Sequence, residues 1–178
     1  MAVYTMYRHL TFALCALLSL QIPAENLGLG RVPNPAHLAS EDIAIGPRGK
    51  ELPLGHGNAT QGSQIYALKC AACHGATGTE GPDPKLVGGL GTLATNSPLQ
   101  TIGSYWPYPT TVFDYINRAM PFTSPGSLTS NEVYALTAFL LAANGVIEAN
   151  EDLNRVSLPA IRMPNRDGFV NDPRPGTR

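Results

Sequence analysis

The chain has 178 residues, a formal net charge of −1, a mean hydropathy of −0.05 and 14% charged residues. That length suits one domain and not comfortably two. The near-neutral charge excludes a nucleic-acid binder that works through a basic patch, and three cysteines exclude a disulfide framework.

An apolar run from Leu10 to Leu20 follows Arg8 and His9. It has the length of a signal-peptide core and is too short for a membrane span. Ile22-Pro23-Ala24 offers a cleavage point, so residues 1–24 read as a signal peptide. The alternatives are an uncleaved anchor or a buried amino-terminal helix. Export to the periplasm follows from the first reading, with no membrane span in the mature chain. Cleavage removes Arg8, Cys15 and no acid, so the formal charge goes from −1 to −2 and only Cys70 and Cys73 remain. Eighteen glycines and sixteen prolines make a loop-rich chain. Its order must come from something besides regular structure, and a buried prosthetic group would supply it.

Residues 25–58 are rich in Gly and Pro and read as an extended segment with a short helix near His37–Asp42. Asn58 or Thr60 caps the first substantial helix, Gln61 to Cys70, on which Gly62 and Tyr66 share a face. Residues 75–104 read as a loop of about thirty residues. Such a loop is unusual in a compact domain unless it wraps something. After Tyr105-Trp106-Pro107-Tyr108-Pro109 comes a helix from Thr110 to Arg118, stopped by Pro121. The last helix runs from Ser130 to Ala143. Thr129 and Glu132 form its capping box, and Asn144-Gly145 ends it. Residues 146–178 form an aperiodic tail. No strand pattern is evident.

Cys70-Ala71-Ala72-Cys73-His74 is the attachment signal for a c-type haem. Each thiol can add to a porphyrin vinyl group, and the adjoining histidine is placed to bind iron. A zinc site needs four ligands, and the mature chain has no third cysteine. A thioredoxin-like pair belongs in an alternating α/β chain, which this is not. The other ring nitrogen of His74 needs an acceptor. Pro84, in the string Pro84-Lys85-Leu86-Val87-Gly88, is the candidate carbonyl, with Pro82 as the alternative. For the sixth iron ligand, Met120 lies 46 residues after His74 beside Pro121, and Met163 is the competitor. Either methionine could also be core filler. Trp106, with Tyr105 and Tyr108, reads equally as haem-edge packing, with the indole N–H or a Tyr hydroxyl on a propionate, or as ordinary core. Arg118 reads as a propionate partner or, with more weight, as a solvated charge.

Gly62, Tyr66, Cys70–His74, the P-x-L-x-G string, Met120-Pro121 and the Glu132–Leu141 helix resemble class I c-type cytochromes over residues 59–145. The resemblance implies an all-α domain around one covalent haem c that carries single electrons. Gly28-Leu29-Gly30-Arg31, Gly103–Tyr108, Asp114–Pro121 and Met163–Phe169 resemble the cytochrome subunits of periplasmic sulfite and sulfur dehydrogenases. That implies a molybdenum-cofactor dehydrogenase subunit as electron donor and a downstream cytochrome or oxidase as acceptor. Sulfur dehydrogenase cytochromes typically carry two haem motifs and this chain has one, which favours the sulfite-dehydrogenase type. A free carrier without a partner, or a haem enzyme or sensor with a labile sixth ligand, are the rival readings. The segments 25–58 and 146–178 would wrap a partner or cover the domain itself.

Overall fold

Asn58 leaves the extended backbone with its side chain accepting from the Gln61 N–H at 3.1 Å, while Gln61 returns the bond to the Asn58 N–H. This capping box starts helix α2, Ala59–Lys69. Residues 29–174 of the computed structural model are described. The signal-peptide reading of residues 1–24 lies outside them. Helix α1, Pro35–Glu41, belongs to a separate unit ending at Glu41. The second unit, from Asp42 onward, holds every other element.

In that unit α2 is followed by a one-turn helix α3, Ala71–His74, then by α4, Pro109–Ala119, and α5, Ser130–Ala143. Among the described residues, 75–108 contain no helix or strand, as the loop reading requires. The expected absence of strands is corrected in one place. His56–Gly57 (β1) pairs antiparallel with Leu153–Asn154 (β2). Two residues each are too few for an alternating pattern to show.

Helices α2 and α5 make the main helix–helix contact. They cross at Gly62, where a Cβ would lie 1.9 Å from the Ala135 carbonyl oxygen and 2.7 Å from the Phe139 Cβ. Only hydrogen fits there. Tyr66, one turn on, tilts against Phe139 with ring centroids 4.8 Å apart. The α5 residues Val133, Tyr134, Leu136 and Leu141 are essentially fully buried, and the Tyr134 ring meets Phe113 of α4 at 4.6 Å. Ile45 and Leu52 ahead of α2, and Leu153, Leu158 and Met163 behind α5, enter the same core. These parts of both extensions therefore pack on their own chain.

Candidate haem c site

The site is built around α3. Cys70 breaks the helical path between α2 and α3 with φ −125° and ψ −36°. Gly75 ends α3 at φ +80°, where a Cβ would lie 1.6 Å from the Glu80 carbonyl oxygen. A left-handed backbone and that close approach both demand glycine. The Tyr66 hydroxyl donates to the Gly75 carbonyl at 2.9 Å, so α2 holds the end of α3 directly. Burial pushes the Tyr66 phenol up to about 12, with the Cys70 and Glu80 charges adding to it, so it stays a donor at any physiological pH.

Nδ1 of His74 lies 2.9 Å from the Pro84 carbonyl oxygen. A carbonyl only accepts, so Nδ1 is the donor and Nε2 is the ring nitrogen left for iron. The carbonyl that meets the ring is that of Pro84 rather than Pro82. Its loop is well tied. The Asp83 N–H donates to the Cys73 carbonyl at 3.1 Å, and the Leu86 N–H to Gly78 at 2.8 Å. Asn144, at the end of α5, donates from Nδ2 to the Leu86 carbonyl at 3.1 Å and accepts at Oδ1 from the Gly88 N–H at 3.0 Å. The sequence marks Asn144 as a helix terminator. Its second duty, bracing the Pro84 loop, depends on a contact 58 residues away and leaves no local signal.

Burial pushes the Cys70 thiol up to about 11, Lys69 pulling it down slightly and Cys73 adding to the rise. A hydrogen bond with Asp83 raises the Cys73 thiol, with desolvation adding to it. Neither is poised as the low-pKa thiolate that a disulfide-exchange pair requires. Among the described residues no three His, Cys, Asp or Glu side chains gather into a metal cage.

Met120 caps the carboxyl end of α4, half-buried, with its N–H donating to Ile116 at 3.1 Å. Met163 is 1% exposed and is part of the core. Trp106 is half-buried against the core, with its ring edge-on to Tyr115 at 5.8 Å and 70°. Tyr105 and Tyr108 hold the tail instead. Phe169 meets the Tyr105 ring at 5.2 Å, Asn165 donates to the Tyr105 carbonyl at 2.8 Å, and the Arg166 guanidinium lies 3.9 Å over the Tyr108 ring. Arg118 is exposed, as the solvated-charge reading expects, and its Nε and Nη2 are bonded to Asp114. Thus Cys70, Cys73, His74 and Pro84 are brought together, and Met120 and Trp106 stand at the two ends of α4.

Residues 59–144 match the Cytochrome c family. No curated protein matches the chain. A chain of the crystal structure of the sulfane dehydrogenase SoxCD from Paracoccus pantotrophus is similar, with a TM-score of 0.76 and 43% identity, covering 85% of this chain and 75% of that one. The chain belongs to the class I c-type cytochromes. Its prosthetic group is haem c, and the residues present fit that group. Two thiols and an imidazole whose free nitrogen is Nε2 stand on one helical turn. The apolar side chains of Leu86, Trp106 and Met120 pack on the core yet stay partly uncovered by the chain itself. No described helix of the cytochrome is long and apolar enough to cross a membrane.

One carboxylate beside the site gives a pH signature. The Thr77 hydroxyl, then Thr79, donates to Glu80 and holds its carboxyl down at about 2. A depressed native value stabilises the fold above the ordinary carboxylate range, and that contribution fades as pH falls toward 2. Glu80→Gln is therefore expected to lower stability modestly at neutral pH, with the difference from wild type vanishing near pH 2. Denaturant unfolding at both pH values checks this, and a constant difference would contradict it.

Proposed function

We propose that this cytochrome carries single electrons on one haem c, which Cys70 and Cys73 would tether and whose iron His74 and Met120 would hold. When bound, haem c supplies a one-electron ferric–ferrous couple. The observation that carries this reading is the 2.9 Å contact between His74 Nδ1 and the Pro84 carbonyl. That bond fixes the ring and strengthens Nε2 as a donor. The Met120 thioether, a soft donor, would favour the ferrous state and raise the potential. Met163 is sealed in the core, so unfolding a packed region would be needed to free its sulfur. Leu86 and Trp106, apolar and partly buried against the core, would help exclude water from the bound haem.

The electrons come from a periplasmic dehydrogenase that acts on sulfite or another sulfur compound through a molybdenum cofactor, and pass to a downstream cytochrome or oxidase. The 43% identity to a chain of the SoxCD structure over 85% of this chain supports that source. Purification from the native source is expected to bring a molybdenum-cofactor subunit along, and the sulfur substrate should reduce the haem through it. A cytochrome that elutes alone, and that no molybdenum protein reduces, would overturn the dehydrogenase assignment.

A further inference from the structure

We infer that Asp114 is a positioning residue for Met120, and that through it the segment Ile45–Pro47 belongs to the redox site. The inference rests on the proposed role of Met120 as a ligand. Asp114 is only 8% exposed, which aspartates tolerate only when paired. Its Oδ1 accepts from the Ile45 N–H at 2.7 Å and from Arg118 Nε at 2.9 Å, and its Oδ2 accepts from Arg118 Nη2. One turn earlier, the Thr110 hydroxyl donates to the Pro47 carbonyl at 3.1 Å. Thr110, Asp114 and Arg118 are each four apart and form one face of α4. That face is fastened to backbone that lies outside the 59–144 family match.

Met120 is the capping residue of the same helix, two residues beyond Arg118. Its side chain starts from wherever the last turn of α4 ends. Asp114 ties that turn, through Arg118, to a buried backbone N–H on another segment; Ile45 itself is 5% exposed. Without the carboxylate, the Ile45 N–H loses its acceptor in a buried place and Arg118 is released, so the turn loses two restraints together.

The experiment is imidazole titration of the ferric, haem-loaded full chain, since imidazole competes with Met120 for iron. Asp114→Ala is expected to bind imidazole about tenfold more tightly than wild type, the scale of a lost charged hydrogen bond. Asp114→Asn keeps an oxygen for the Ile45 N–H but loses the charge toward Arg118. It should fall between the two and covers the case in which the alanine variant does not fold. Leu153→Ala, a core truncation in β2, should lower the thermal midpoint without changing imidazole affinity. Affinities in both Asp114 variants within about twofold of wild type, or an equal shift in Leu153→Ala, would overturn the inference. A wild type without a sulfur–iron absorption band would instead overturn the ligand role of Met120 and this inference with it.

Discussion

Gly62→Val should leave the cytochrome largely unfolded or stripped of its helix crossing. The Cβ alone would lie 1.9 Å from the Ala135 carbonyl oxygen and 2.7 Å from the Phe139 Cβ. Neither neighbour can yield cheaply. One is backbone in the middle of α5, a fully helical segment, and the other starts the ring that packs on Tyr66. Over-packing of a core side chain costs about 1–3 kcal/mol, and a clash with helix backbone should exceed that range. Domains hold only about 5–15 kcal/mol in total. The consequence reaches the redox site, because α2 carries Tyr66, whose hydroxyl holds the Gly75 carbonyl beside His74. A fall of more than about 10 °C in the thermal midpoint of the holoprotein, with loss of haem incorporation, is expected. Gly62→Ala should show the same effect in weaker form. A valine variant with wild-type stability would mean that the helices do not cross at this distance.

Met120→Ala should keep the fold and change the iron. Met120 is half-buried at the end of α4, so its truncation leaves the buried stripe of Val112, Phe113 and Ile116 in place. The lost group is the soft sulfur that stabilises ferrous iron. The potential should fall by on the order of 0.1–0.3 V, within the roughly 0.8 V that axial ligands span. The sulfur–iron charge-transfer band of the ferric protein should vanish, and carbon monoxide should bind the ferrous form readily. Met163→Leu should do none of this, because Met163 fills the core. Potentiometric titration of the two variants side by side separates the methionines. A band lost in Met163→Leu and kept in Met120→Ala would reverse the assignment.

The parts of the site legible in the sequence are those whose partners lie close along the chain. Cys70, Cys73 and His74 declare themselves within five residues, and Thr129 with Glu132 marks the start of α5 to the residue. Asn58 rather than Thr60 caps α2 because Gln61 is three residues after Asn58 and can return the bond. Asp114 is the opposite case. Its partner is the Ile45 N–H, 69 residues away, so it reads in sequence as one more polar residue on a helix. Burial is the largest single influence on its carboxyl and pushes it up, but the Arg118 hydrogen bond, the Ile45 N–H and the Arg118 charge together outweigh it and hold the carboxyl below the usual range. Met120 and Met163 each stand before a proline, and position along the chain already favours Met120, 46 residues after His74 and just ahead of the last helix. The structure adds burial, which seals Met163 and is set by the tail folding back into the core. The tail's grip on Tyr105 and Tyr108 is likewise tertiary, made by Asn165, Arg166 and Phe169.

The most direct test of the central claim is the absorption spectrum of the wild-type ferric holoprotein, followed by exposure of the reduced form to carbon monoxide. Coordination by His74 and Met120 predicts low-spin ferric iron with a sulfur–iron charge-transfer band and slow, weak carbon monoxide binding. High-spin ferric iron without that band, together with rapid carbon monoxide binding, would show an open sixth position and contradict the electron-carrier account.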